Sequence, residues 1–393
     1  MKFSVIFEAQ MDDISRENEQ QVIHDCVEQA VYAEKMGFDR IWAVEHHALK
    51  YYAHMSASEI FLSFVAARTE SIRIGHGVIC LPFNFNHPVR VAERTAMLDI
   101  LSKGRLDVGA GRGATVQEMA LYGVDVDRTY QEMEESLRII SNIWTHDPFR
   151  WESDLIDIIP PEGGEFTVVP RPVQKPHPPL FMACTHKATL TMAADWGVGA
   201  LVLGFGGPSE MEKLHTFYRE AIAARSEDTL VSPGVSNDFF GALCPTITLD
   251  DRDLAIKLGI RAQRFFAQAI AHWYGGGALP DAIIRDDADE VADIKEAEEY
   301  FIARLHEMEI PVDEAVSGGY NPNQAYGNAD DAIAHVELLK AVGVDEVMCL
   351  IQMGTIPQEL AMETMRQWGE KVIPHFRAQD EMEVSVSGAD VNK

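Results

Sequence analysis

The feature that most constrains the fold is an alternation. Short β-branched apolar runs are each followed by a segment with helical spacing. Parallel strands need a crossover to bring the chain back, usually a helix, so this alternation marks βα units around a parallel sheet. Phe3 to Phe7 reads as a first strand. Val22, Ile23, Cys26, Val27, Ala30 and Val31 then share one helix face, which Gly37 ends. Further strands are expected at Ile41 to Val44, Ile72 to Leu81, Leu106 to Gly109, Leu180 to Cys184, Ala200 to Leu203, about Asp238 to Pro245, and Val347 to Ile351. Helices are expected over Ser58 to Arg68, about Val89 to Leu101, and Tyr130 to Trp144. Eight such strands are the count of a (β/α)8 TIM barrel, an α/β fold that reaches 393 residues as one domain when it carries insertions. A single domain over residues 1–378 is expected, with insertions at about 145–178 and 275–319 and a flexible tail over 379–393. An insertion like the second, placed before the last βα unit, serves as a lid in many barrels.

Charge and cysteine content narrow the function classes. Lys plus Arg number 33 and Asp plus Glu 62, a formal net charge of −29. Nucleic acid and anionic lipid are themselves negative and make poor partners for such a chain. Cys26, Cys80, Cys184, Cys244 and Cys349 are odd in number and scattered, which argues against a disulfide framework or zinc ribbon and fits a reducing cytoplasm. No run approaches about 18 apolar residues, so no membrane span is expected.

A barrel of this kind places its site at the C-terminal ends of the strands. Glu8 and Gln10 follow the first strand and Glu45-His46-His47 the second. A histidine at a strand end can move a proton near neutral pH, oriented by a carboxylate; an isolated one is more often a structural hydrogen bonder. A metal reading is disfavoured, because Phe7-Glu8-Ala9-Gln10 stands where barrel metallohydrolases carry a His-x-His pair, and no metal is expected. Gly109-Ala110-Gly111-Arg112-Gly113 offers close backbone approach and an arginine fork for phosphate, or merely turn glycines. Cys184-Thr185-His186-Lys187-Ala188-Thr189 opens a helix whose free amides favour an anion, the plainer reading being an N-cap by Thr185. Arg112 and this helix start, on adjacent strands, can hold one phosphate together. Cys184 is disfavoured as a nucleophile, since a buried thiol is usually inert. Phe83-Asn84-Phe85 either lines an apolar pocket or covers the barrel rim.

Four stretches, GFDRIWAVEHH, HPVRVAERTAMLDILSKGRLDVGAGRG, PPLFMACTHKATLTMAADWG and RFFAQAIAHWY, carry a resemblance. The sequence resembles the bacterial luciferase-like flavin monooxygenases, of the luciferase α-subunit type, over about residues 1–375. The resemblance implies an FMNH2-dependent monooxygenase: reduced FMN from a separate flavin reductase reacts with O2 to a flavin hydroperoxide, which oxygenates a small apolar organic substrate. It further implies His46 as the catalytic residue and Arg112 at the FMN phosphate, with Cys184, Thr185, His186 and Thr189 around that phosphate site. Gly77 and Val78 fall where the family has a non-prolyl cis peptide beneath the flavin ring. Residues 275–319 fall where luciferase has its mobile lid. A homodimer through helices of the first βα units is implied as well. Gly111 stands in place of luciferase's reactive cysteine, the Phe83 to Asn86 segment is longer, and Gly204-Phe205-Gly206 lacks a tryptophan, so a substrate other than a long-chain aldehyde is expected. The alternatives are a deazaflavin-dependent hydride-transfer oxidoreductase and a non-catalytic luciferase-like subunit.

Overall fold

The computed structural model describes residues 1–276, 279, 299, 323–354 and 356–380. The strands are β1 (Lys2–Phe7), β2 (Arg40–Ala43), β3 (Arg73–Cys80), β4 (Leu106–Gly111), β5 (Leu180–Cys184), β6 (Gly199–Val202), β7 (Phe240–Thr248), β8 (Ala325–Gly327) and β9 (Glu346–Leu350). The helices are α1 (Arg16–Lys35), α2 (Ser58–Ala66), α3 (Pro88–Leu101), α4 (Val116–Tyr122), α5 (Thr129–Thr145), α6 (Lys187–Trp196), α7 (Pro208–Ala224), α8 (Arg252–Gly275), α9 (Ala329–Ala341) and α10 (Gln358–Gln367).

All pairings between these strands are parallel. The order β6-β5-β4-β3-β2-β1-β9-β7 is closed by β6 pairing β7, which makes an eight-stranded barrel, a TIM barrel, with helices around it. The eight strands expected from the sequence are these eight. The additional β8 arises because β7 is nine residues long. Its first half pairs β9 within the barrel, and Thr246 to Thr248 run on to pair Ala325 to Gly327 outside it. Helix α4 shows no apolar period in the sequence, being seven residues long and burying only Glu118 and Met119.

The 145–178 insertion carries two isolated antiparallel bridges, Phe149 with Phe166 and Trp151 with Ile158. Trp151 Nε1 ties it to Glu135 on α5 at 2.6 Å. The expected lid at 275–319 lies almost wholly outside the described residues. Of the expected tail, Gln379 and Asp380 are helical, with Gln379 bonded to Glu337, and 381–393 lie outside.

The lower barrel is filled by charge as well as by hydrocarbon. Arg40 on β2 is buried and donates to Asp107 on β4 at 2.7 Å and to Glu346 on β9. Trp42 Nε1 donates to the other Glu346 oxygen at 2.7 Å, and Arg73 on β3 grips Asp107 from outside. The Arg40 guanidinium lies over the rings of Trp42, Phe181 and Phe239. Gly75 makes room for this stack: a Cβ there would lie 2.3 Å from the Trp42 ring. Above the stack the axis opens toward the C-terminal strand ends.

Removing one member of a buried ion network leaves the rest uncompensated. Asp107→Ala is therefore expected to lose about 3 to 5 kcal/mol in urea unfolding, whereas Lys2→Ala, at an exposed pair with Asp39, leaves the midpoint nearly unchanged.

Candidate active site

The strand ends surround a cavity. His46, Gly77, Val78, Arg112, Cys184, Thr185 and Thr189 all line it, joined by Glu8, Glu45, Tyr52, Tyr130 and Tyr274. Its deeper wall is apolar, with Ile6, Val44, Leu201, Leu243 and Met348. Of the eight residues expected at the catalytic and cofactor positions, only His186 is absent from the lining.

One side is built for an anion. Arg112 follows β4 and has no hydrogen bond or ion pair among the described residues; its guanidinium lies 5.0 Å from the Tyr130 ring centroid. Across from it α6 begins. The expected cap by Thr185 is corrected here: His186 is the N-cap, its Nδ1 accepting from the Thr189 amide at 3.3 Å. Thr189 closes the capping box, its Oγ1 accepting from the amides of Thr185 and His186 and donating to the His186 carbonyl. Those amides are thus committed to the cap. The helix still offers the amides of Lys187 and Ala188, which have no partner within a first turn. Since Nδ1 accepts, the neutral His186 ring carries its proton on Nε2 and donates to the Tyr130 hydroxyl at 3.2 Å. The Tyr130 proton then points away from His186, free for a ligand. His186 thus acts on the cavity through Tyr130.

Between the two strand ends, the pairing of β3 with β4 is interrupted from His76 to Ile79, where the Gly77–Val78 peptide is cis. A Cβ on Gly111 would lie 2.4 Å from Val78 Cγ2, so glycine there is set by the neighbouring valine. Cys184 is fully buried, donates to the carbonyls of Met182 and Thr189, and has its thiol pushed well up by burial, as an inert thiol would.

The other side holds the titratable groups. His46 Nδ1 meets Glu118 Oε1 at 3.0 Å, and the ring packs on Tyr52. Glu118 also accepts from the His47 amide through Oε1, and from the Thr115 amide and hydroxyl through Oε2, each at 3.0 Å. Burial works against its charge, but the bonds from His46, His47 and Thr115 outweigh it and hold the carboxyl below its ordinary value. An ionised carboxylate only accepts, so Nδ1 of His46 bears the proton and Nε2 is left to the cavity. Burial is also the largest influence on His46 and disfavours its charge. The bond and charge of Glu118, with the charges of Glu8 and Glu45, together prevail and raise the imidazole above its ordinary value.

The neighbouring residues of the Glu-His-His run are structural. His47 bonds Glu45 through Nε2 and Tyr122 through Nδ1, and stacks on Phe85. Glu45 accepts from the Cys80 amide and from Asn86, lacing the end of β2 to that of β3. Phe85 covers the rim against His47 and Tyr122, and none of Phe83 to Phe85 lines the cavity. Glu118 was missed from sequence. Its one signal was the capping-box spacing Thr115-x-x-Glu118, which marks a helix start. Among the described residues no group of three His, Cys, Asp or Glu side chains gathers to hold a metal.

A family model described as luciferase-like monooxygenase matches residues 1–301. The oxygenase component of the flavin-dependent trigonelline monooxygenase of Acinetobacter baylyi is 31% identical over 233 residues, 56% of this chain and 59% of that protein. The match therefore spans less than two thirds of that relative's length. The F420-dependent glucose-6-phosphate dehydrogenase of Amycolatopsis mediterranei is 24% identical over 363 residues, 90% of this chain and 95% of that one. The oxygenating constituent of 3,6-diketocamphane monooxygenase from Pseudomonas putida, a type II Baeyer-Villiger monooxygenase solved with FMN, shares the fold with a TM-score of 0.70 at 18% identity, covering 95% of this chain and 98% of that one. With a family match over most of its length and a barrel of this form, the chain belongs to the luciferase-like monooxygenase family.

Proposed function

We propose that the protein is the oxygenase of a two-component system, taking reduced FMN from a separate reductase and using O2 to oxygenate a small apolar organic molecule. The observation that carries the reading is Arg112, unpaired among the described residues and stacked on Tyr130, across one cavity from a carboxylate-backed histidine. Bound reduced FMN would supply the electrons and the activation of O2. Arg112, the Tyr130 hydroxyl, Thr185 and the start of α6 fit its phosphate, a dianion that an unpaired guanidinium and free helix amides favour. Gly77 and Val78, on β3, line the cavity between that anchor and His46, and Cys184 lines it at the anchor's end, beside Thr185. His46 Nε2 can give or take a proton at the reacting end, with Glu118 holding the ring and its charge. The apolar wall suits an organic substrate and excludes water from it.

The F420-dependent relative keeps hydride transfer as the second reading. Anaerobic titration with photoreduced FMN, followed by mixing with oxygenated buffer, separates the two. Tight binding and a slowed, multiphasic return of oxidised-flavin absorbance, compared with free FMN, support the oxygenase. Absent binding, or reoxidation as fast as in free solution, favours hydride transfer.

Helix faces support a homodimer. Ile60 and Phe64 on α2 and Met97, Ile100 and Leu101 on α3 are exposed, Phe64 at 57% and Leu101 at 63%. Two neighbouring helices presenting large apolar side chains to water are what a self-association surface looks like.

Four outcomes are expected. Arg112→Ala weakens binding of reduced FMN by about tenfold or more, read by anaerobic titration, while His46→Ala leaves binding intact and slows turnover by about a hundredfold. Glu118→Gln removes the charge that raises the His46 pKa, so the limb of the kcat–pH profile set by protonated His46 moves to lower pH, by about one unit or more. Phe64→Glu converts a dimer to a monomer in size-exclusion chromatography with light scattering.

A further inference from the structure

Beyond its place in the lining and its influence on His46, Glu8 makes no side-chain bond described so far. It is the first residue past β1, 4% exposed, and its carbonyl accepts from the His54 amide at 3.0 Å. Its side chain lines the cavity, and Oε2 is buried with no hydrogen-bond partner among the described residues. A buried polar atom without a partner is rare, because it forfeits its bonds to water and gains nothing in return. The side chain lies in the wall of the same cavity as Ile6, Leu243 and Met348.

The surrounding charges explain why Glu8 has no counter-ion of its own. From the end of β2 come His46 and Glu45, and from α4 comes Glu118. Tyr274 at the end of α8 and Arg112 past β4 line the same cavity, and His54 holds the backbone. The positive charge of His46 is committed to Glu118 through Nδ1. Burial pushes the Glu8 carboxyl up to about 7, with His46 pulling it down and Glu118 pushing it further up. Below that pH the group is a carboxylic acid with an O–H to donate; as the pH rises through it, the donor is lost.

We propose that Glu8 is the substrate-recognising group of this cavity, donating a hydrogen bond as an uncharged carboxylic acid to an acceptor oxygen, carbonyl or hydroxyl, on an otherwise apolar and uncharged molecule. The inference deepens the oxygenase reading and rests on it for the use of the site, but its binding chemistry does not require the flavin. It defines the substrate class: one acceptor oxygen on a hydrocarbon frame.

The probes are 4-tert-butylcyclohexanone and its methylene counterpart, which differ only in CH2 for oxygen. They are titrated calorimetrically into the full-length protein, with and without FMN, at about pH 6 and about pH 8.5. The parent protein is expected to prefer the ketone by about tenfold at the lower pH and to lose the preference at the higher. Glu8→Gln keeps an N–H donor that does not titrate, and keeps the preference at both. Glu8→Leu loses it at both, while its FMN affinity, read by quenching of flavin fluorescence, is retained. A preference that survives Glu8→Leu, equal affinity of the parent for both probes at the lower pH, or no binding of the ketone at all overturns the proposal. Loss of FMN binding in Glu8→Leu overturns it too, by placing Glu8 on the cofactor. Failure of the parent to bind FMN overturns the flavin reading alone, because the ketone titration without FMN reports separately on Glu8.

Discussion

Closing eight parallel strands into a barrel leaves an axis that the inward side chains must fill, and here the filling turns on one buried arginine. Arg40 cannot be stripped of water without compensation, so Asp107 and Glu346 are brought to it from strands that are not its neighbours. The three together fix the relative heights of β2, β4 and β9. Trp42 then lies against Gly75 and is held by Glu346. The floor beneath the cavity is therefore a rigid assembly of charge and aromatic surface, and the strand ends that carry His46, Gly111 and Arg112 inherit their positions from it.

Above that floor, single groups serve structure and chemistry at once. Glu118 completes the capping box of α4, takes the His47 amide, and holds the ring of His46. The same economy governs the opposite wall, where the imidazole that caps α6 also turns the Tyr130 hydroxyl toward the cavity. Groups fixed by several bonds lose little freedom when a ligand arrives, which is how a site is organised in advance.

The barrel was legible because its strands are buried runs separated by helical spacing, a signal spread over the whole chain. Arg112 and His46 were legible because strand ends are where this fold places chemistry. Glu118 was not, because it lies on a helix too short to show a period, and its partner His46 is 72 residues away in sequence. The plainer reading of the α6 start, an N-cap by Thr185, gives way to a cap by His186, because histidine is a rarer cap and its bond to the Thr189 amide shows only in the fold. Glu8 was visible as a strand-end acid. What sets it apart, burial without a partner, is a property of tertiary packing that spacing does not encode. The short strand β8 escaped for a similar reason: three residues carry no alternation, and the strand exists only because β7 overruns the barrel.

The contact between Val78 and Gly111 has a consequence for how this lineage can change. A stiff, β-branched side chain fills the space that any Cβ at position 111 would need. A cysteine there, as in luciferase, cannot be reached by one substitution with Val78 in its present place. Positions 78 and 111 are thus a coupled pair: a smaller residue at 78 must come first or arrive together with the change at 111. Along any path that adds a side chain at position 111, Val78 must give way no later than that change.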